Sequence, residues 1–135
     1  MLQTITKKNF LYLFIGLAIG ALAMFLLQQY VLPPSVETTL LKTSNELNRN
    51  CPVMIDKITR FDNTSVISDK EFRFNYTILN AVKDSVDLKM LRQYLEPIVN
   101  QGIKNNHSLE YLRKNKVTIS CTYKDRNGIT LVEIK

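Results

Sequence analysis

An uninterrupted apolar stretch near the N-terminus constrains this chain more than any other feature. From Asn9 to Leu32 the sequence reads NFLYLFIGLAIGALAMFLLQQYVL and contains no charged residue. About 20 consecutive apolar residues form a helix that can cross the hydrocarbon core of a bilayer. A helix on the surface of a soluble domain would show a polar face, and this stretch shows none. The sequence therefore predicts a transmembrane anchor over residues 9–32.

The charges beside this stretch predict its orientation. Lys7 and Lys8 precede it, and positive residues remain on the cytoplasmic side of a membrane. Residues 1–8 are then a cytoplasmic N-terminus, and residues 33–135 form an extracytoplasmic domain of a single-pass protein in the bacterial inner (cytoplasmic) membrane. The alternative is a cleaved signal peptide, because Ala-Leu-Ala at 21–23 resembles a cleavage site. The apolar run continues past that site to Leu27, which favours an uncleaved signal-anchor.

The first half of the predicted domain reads as a helix followed by two strands. Pro33 and Pro34 end the anchor, and Ser35 can cap a helix that ends near Asn50. Alternating apolar residues over 53–58 predict a strand of moderate quality, and the sequence FDNTS at 61–65 supplies turn residues. Residues 71–79 form the clearest strand, which should pair with the first as a hairpin.

The second half repeats this order. Asp87 can cap a helix with a wide apolar face, which Pro97 should kink or restart, and residues 108–114 should form one or two further helical turns. Residues 116–124 alternate as a strand, and Asn127-Gly128 is a hairpin turn signal before the last strand. We expect an α+β fold, an α-β-β-α-β-β domain whose helices pack on one face of a mostly antiparallel sheet of about four strands.

The two cysteines, Cys51 and Cys121, are candidates for a disulfide, because an extracytoplasmic domain meets an oxidising compartment. The alternative is that both are ordinary buried thiols. Their spacing matches neither a redox Cys-x-x-Cys motif nor a zinc ribbon, and His107 is the only histidine. The sequence predicts no metal and no cofactor.

Polar residues around Cys51 raise the question of a reactive centre. A nucleophilic cysteine needs a base, and only His107 could serve, but no pattern places it near Cys51. Asp56, Arg60 and Asp62 form a candidate surface site, although turn and edge-strand roles explain them more simply. The pattern therefore favours a non-enzymatic protein over a small exported enzyme that uses Cys51.

Two glycines in the apolar stretch indicate a helix-packing surface. Gly16 and Gly20 are four residues apart, the GxxxG spacing that lets two membrane helices approach closely. We expect the partner to be a second copy of this helix or another membrane or envelope protein. The net charge of +6 arises from interspersed residues without a basic stripe, so we expect no nucleic-acid partner.

The domain resembles a set of small, uncharacterised bacterial membrane-anchored proteins that share an Asn-x-x-Cys-Pro, Asp, Thr-Arg and Tyr-Thr pattern. The matching positions here are Asn48, Cys51, Pro52, Asp56, Thr59, Arg60, Tyr76 and Thr77. The resemblance implies no activity. Together with the predicted anchor, it leads us to expect a membrane-anchored extracytoplasmic binding or assembly protein of the bacterial envelope. A self-protection (immunity-type) factor is a narrower alternative.

Overall fold

The structure, a computed structural model, describes residues 7–31 and 33–135, with the side chains of residues 16–30 and 33–135. Its helices are α1 (Lys7–Val31), α2 (Val36–Asn48), α3 (Leu88–Asn105) and α4 (Glu110–Lys114). Its strands are β1 (Val53–Met54), β2 (Thr59–Ser68), β3 (Glu71–Ile78), β4 (Thr118–Asp125) and β5 (Thr130–Ile134). The chain divides into two compact units, residues 1–34 and residues 35–135.

The prediction of a transmembrane helix is wrong. Within the described residues, no helix combines the length and the apolar character that crossing a membrane requires. The single-pass inner-membrane localisation depended on that helix and is wrong with it. Most of the predicted cytoplasmic segment 1–8, together with Leu32, lies outside the described residues.

Local sequence signals set the ends of the domain's two long helices. The Ser35 hydroxyl accepts a hydrogen bond from the Thr38 amide at 3.1 Å and caps α2, as its sequence predicts. The Asp87 carboxylate accepts from the amides of Lys89 and Met90 and caps α3 in the same way. Helix α3 continues through Pro97 as one element instead of ending there.

The sheet has five strands instead of about four, in the order β1-β2-β3-β4-β5, and it is mixed, because three neighbouring pairs are antiparallel and one pair is parallel. Strands β3 and β4 run parallel because α3 and α4 connect them and return the chain to the same end of the sheet. The expected turn at 61–65 lies inside β2, where the turn-forming residues Asp62 and Asn63 sit at a β-bulge. Strand β2 therefore separates β1 from β3, and the expected hairpin between them does not form.

All three helices of the second unit pack on one face of the sheet, which we call the inner face. Phe72, Phe74, Tyr76 and Ile78 of β3 point to this face and lie beside Ile119, Cys121 and Tyr123 of β4. Leu40 of α2 and Leu112 of α4 cover one end of these strands, and Leu95 and Val99 of α3 cover the other. The resulting two-part core fixes α2 and α3 at opposite ends of the inner face.

Asn48, the last residue of α2, attaches this helix to the free edge of β2. Its side-chain oxygen accepts from the Thr64 amide at 2.7 Å, and its amide nitrogen donates to the Thr64 carbonyl at 3.0 Å. The same oxygen accepts from the Thr64 hydroxyl at 3.0 Å, and Ser44 adds a further contact at 2.8 Å. The side chain of Asn48 thus takes the place of a neighbouring strand beyond the short β1.

We predict that Asn48→Ala lowers the free energy of unfolding by about 2–3 kcal/mol, because it leaves the buried polar groups of Thr64 without partners. Urea unfolding of the wild type and the variant measures the difference. Asn50→Ala, at an exposed position two residues away, is the matched control and should change the stability by less than about 0.5 kcal/mol. Equal effects of the two variants would contradict this role of Asn48.

Candidate functional site

Aromatic side chains form the floor of a depression on the inner face, between α3 and the turn that joins β1 to β2. Tyr76 and Tyr123 stack with ring centroids 4.9 Å apart, and Phe61 contacts Tyr76 at 5.3 Å and Phe74 at 6.0 Å. Phe61, Phe74 and Tyr76 are only half-buried, although they lie at the centre of the sheet. The two long helices cover the ends of the sheet and leave this aromatic floor partly open.

Two adjoining cavities occupy this depression and share Ile98 and Tyr123 as lining residues. One has a volume of about 230 Å³ and lies between the C-terminal half of α3 and the sheet. The other, about 320 Å³, lies towards the β1–β2 turn. We call the two cavities together the α3 groove. Besides the two shared residues, the first cavity is lined by Phe74, Tyr76, Val99, Gly102, Ile103, Asn106, Leu109 and Cys121, and the second by Ile55, Asp56, Ile58, Thr59, Ile78, Leu91, Tyr94 and Leu95.

Apolar side chains at the rim of the α3 groove are exposed. The exposed fraction is 68% for Tyr94, 58% for Ile55 and 51% for Ile98. Ile58 is also exposed, and Val53 and Met54 of β1 continue this apolar surface along the sheet edge. A contiguous exposed apolar surface around a concave site is typical of a surface that binds another molecule.

The floor of the α3 groove carries no charged group, and the lining of the groove contains one acid at its edge. Burial raises the pKa of the Cys121 thiol to about 11, and burial with the nearby Cys121 raises the pKa of Tyr123 to about 12. Burial also raises the pKa of Tyr76. The one acid in the lining, Asp56, accepts hydrogen bonds from the amides of Ile58 and Thr59, which lower its pKa. The groove is therefore suited to bind apolar, uncharged groups.

The structure places the two cysteines in different environments, and both are free thiols. Cys121 lies in the middle of β4 on the floor of the α3 groove, and Cys51 follows α2, where its thiol donates to the Leu47 carbonyl at 3.4 Å. Burial, followed by the charge of Asp62, raises the pKa of Cys51. Both thiols therefore remain protonated near neutral pH, the less nucleophilic state.

The structure divides the candidate surface residues between two places. Asp56 belongs to the β1–β2 turn, whereas Arg60 and Asp62 form an ion pair with a Nε–Oδ1 distance of 2.6 Å. Asp62 also accepts a hydrogen bond from the Thr77 hydroxyl. His107 is exposed and begins a short 3₁₀ turn after α3. These contacts give Asp56, Arg60 and Asp62 structural roles in turns and between strands.

The outer face of the sheet has the densest charge network of the second unit. Arg73 contacts Glu71 at 3.1 Å and Glu133 at 3.4 Å, and Lys135 contacts the same two carboxylates at 3.4 and 3.3 Å. Arg73 and Glu71 also hydrogen-bond to the buried Ser120 hydroxyl. The two cations and two carboxylates of this network neutralise one another, and they cover the small polar residues of β4. The α3 groove is therefore the better candidate for a binding site.

The two glycines predicted to pack against another helix lie in the first unit. Gly16 and Gly20 are four residues apart on α1, and a side chain added at either position would meet no atom within 4 Å. Since no described helix can cross a membrane, self-association through a transmembrane helix has no support.

Sequence reasoning did not identify Tyr94, Gly102 and Ile55, which line the α3 groove. One signal in the sequence could have indicated the α3 groove. The apolar face of α3, from Leu88 through Ile103, is wider than the part of the helix surface that packs on the core. Leu95 and Val99 on this face are buried, whereas Ile98 between them remains exposed. The opening itself depends on where α2 and the β1–β2 turn lie, which no local pattern specifies.

Two solved structures share the fold of this chain. One is a presumed secreted protein of Pseudomonas aeruginosa, which is 8% identical with a TM-score of 0.64, and the match covers 73% of this chain and 86% of the other. The second is EpsS, the pilotin of the type 2 secretion system of Vibrio vulnificus, which is 7% identical with a TM-score of 0.55, over 73% and 84% of the two chains. At these identities the likeness concerns the fold alone.

A comparison with curated protein sequences finds no match. A family model does match residues 35–132, which include strands β1 to β4, the first part of β5 and the lining of the α3 groove. Because this match covers most of the chain, the chain belongs to the family described as a domain of unknown function, DUF8479.

Proposed function

We propose that this chain is a non-enzymatic, extracytoplasmic binding protein of the bacterial envelope, whose α3 groove holds an apolar segment of another envelope protein. The observation that carries the proposal is the combination of a neutral concave floor with the exposed rim residues Ile55, Tyr94 and Ile98. Apolar anchors that fill a pocket and exclude water supply most of the affinity in protein interfaces.

The shared fold supports the envelope setting. One structural neighbour is named as a presumed secreted protein and the other as the pilotin of a secretion system, which makes another envelope protein a reasonable partner for this chain. A cysteine-dependent exported enzyme has less support, because the raised pKa values of Cys51 and Cys121 keep both thiols protonated.

Site-specific photo-crosslinking in intact bacteria tests the proposal. A benzophenone amino acid at Tyr94 should cross-link to an envelope protein, identified by mass spectrometry, because this side chain stands at the rim of the α3 groove. The same probe at Glu96, which points away from the groove on the same helix, is the matched control. No cross-link from position 94, or equal cross-links from both positions, would contradict the proposal.

A substitution at the rim gives the second prediction for this site. Ile98→Asp should reduce the yield of the cross-link from position 94 at least about tenfold, because a charge would be buried without a partner. The melting temperature should change little, since Ile98 is about half exposed in the free protein. An unchanged cross-link with the aspartate in place would locate the partner elsewhere on the surface.

A further inference from the structure

The turn between β4 and β5 contains the only Asn-Gly sequence of the chain, Asn127-Gly128. Both residues are exposed, and Gly128 has a φ of +81°, which glycine adopts without strain. Asparagine is chemically labile in proteins, and most so before glycine, because glycine has no Cβ to shield its backbone nitrogen. The turn therefore holds a side chain that can react with its own backbone.

This reaction, deamidation, needs only water as a co-reactant. The Gly128 nitrogen loses its proton to solvent and attacks the side-chain carbonyl carbon of Asn127; ammonia leaves, and a five-membered succinimide forms. Water then opens the ring at either carbonyl, which gives aspartate or isoaspartate. One water is consumed and one ammonia is released, and nothing is oxidised or reduced.

Three hydrogen bonds from this turn end on Asp125. The Gly128 amide donates to the Asp125 carbonyl oxygen at 3.0 Å, and the amides of Asn127 and Ile129 donate to the Asp125 carboxylate, both at 2.9 Å. The first bond retains the proton that Gly128 must lose. The other two fix the chain on both sides of the reacting peptide bond, which must move to bring the nitrogen onto the side-chain carbon.

We propose that Asn127 is a site of spontaneous deamidation, and that Asp125 protects it as long as the turn stays closed. This inference does not depend on the α3 groove. Deamidation places a new carboxylate two residues from the buried Asp125 carboxylate. Isoaspartate also lengthens the main chain between the amides of Asn127 and Ile129, which share one Asp125 oxygen. The modified turn therefore loses the contacts that connect β4 to β5.

Incubation of the full chain at mildly alkaline pH, with mass spectrometry of the tryptic peptide 127–135 at intervals, measures the rate. The folded wild type should react at least about tenfold more slowly than the same chain in concentrated urea, because the reaction requires the turn to open. Asp125→Ala should react at least about fivefold faster than the wild type under folding conditions. Asp125→Asn, which keeps an oxygen acceptor, should lie between them, and Asp84→Ala should react at the wild-type rate.

Asn48→Ala separates local protection from overall stability, because it weakens the fold at the opposite edge of the sheet. Circular dichroism shows which variants are folded, and if Asp125→Ala is not, Asp125→Asn decides. Equal acceleration by Asn48→Ala and the Asp125 variant would overturn the protective role of Asp125, as would equal rates in the Asp125 variant and the wild type, or in urea and in its absence. No reaction at Asn127 even in urea would overturn the modification site itself.

Discussion

Replacing Phe72 with alanine should lower the free energy of unfolding by about 3–5 kcal/mol, as expected when a large aromatic side chain leaves a cavity in a closed core. Phe72 has no exposed surface and packs with Leu40 of α2 and Ile119 of β4. Its ring also contacts the ring of Phe74 edge-on, at a centroid distance of 5.3 Å. The substitution would therefore weaken the contacts that join α2, β3 and β4.

Urea unfolding of the full chain, followed by circular dichroism, measures this loss. Tyr94→Ala is the control, because it removes a similar aromatic ring from a side chain that is 68% exposed; we expect it to change the stability by less than about 1 kcal/mol. A loss at Phe72 no larger than the loss at Tyr94 would mean that the core does not depend on this ring.

Asp125→Ala should destabilise the domain by a comparable amount, because the Asp125 carboxylate organises two connections at once. One of its oxygens accepts from the Lys83 amide at 3.0 Å, in the connection after β3. The other accepts from the amides of Asn127 and Ile129, both at 2.9 Å, in the β4–β5 turn. The side chain has no exposed surface, so its removal would leave three amides without this acceptor.

The same contacts make this contribution depend on pH. Burial acts to raise the pKa of Asp125, but the hydrogen bonds from Ile129, Lys83 and Asn127, and then the charge of Arg126, outweigh it and hold the pKa below its ordinary value. A carboxyl group with a lowered pKa in the folded state stabilises the fold above its unfolded pKa, about 3.9. This stabilisation is lost as the pH falls through the folded pKa.

We therefore expect the difference in unfolding free energy between the wild type and Asp125→Ala to be largest near neutral pH and to shrink below about pH 4. The difference is the informative quantity, since the pKa values of Asp56 and Glu71 are lowered as well. Asp84→Ala, which removes an exposed carboxylate nearby, should give a small difference. A difference for Asp125→Ala that stays constant from pH 7 to acidic pH would contradict the role of its charge.

The α3 groove results from how the sheet is covered. A five-stranded sheet, with neighbouring strands about 4.8 Å apart, is wider than one helix can cover. In this domain α2 contacts β2, and α3 contacts β5. The aromatic residues of β3 between these helices, Phe74 and Tyr76, remain half-buried as a consequence.

Several elements were predictable from the sequence because their causes are local. Ser35 and Asp87 cap the helices that follow them, since a short polar side chain reaches the free amides of the next turn. The alternation in residues 71–79 identified β3, and Asn127-Gly128 identified the last turn, where Gly128 has a φ of +81°. In each case, neighbours in the sequence supply the determining contacts.

Other features depend on residues far apart in the chain, and only the tertiary structure decided them. Asp62 and Asn63 favour turns in isolation, yet hydrogen bonds to Thr77 and Asn75 of β3 retain them in β2. The parallel pairing of β3 with β4 requires the intervening helices to return the chain, and the apolar run in α1 predicted a membrane span that the described helix does not provide. The α3 groove belongs to this second class, because a groove is space between elements, and its width depends on how those elements pack and not on the pattern of any one of them.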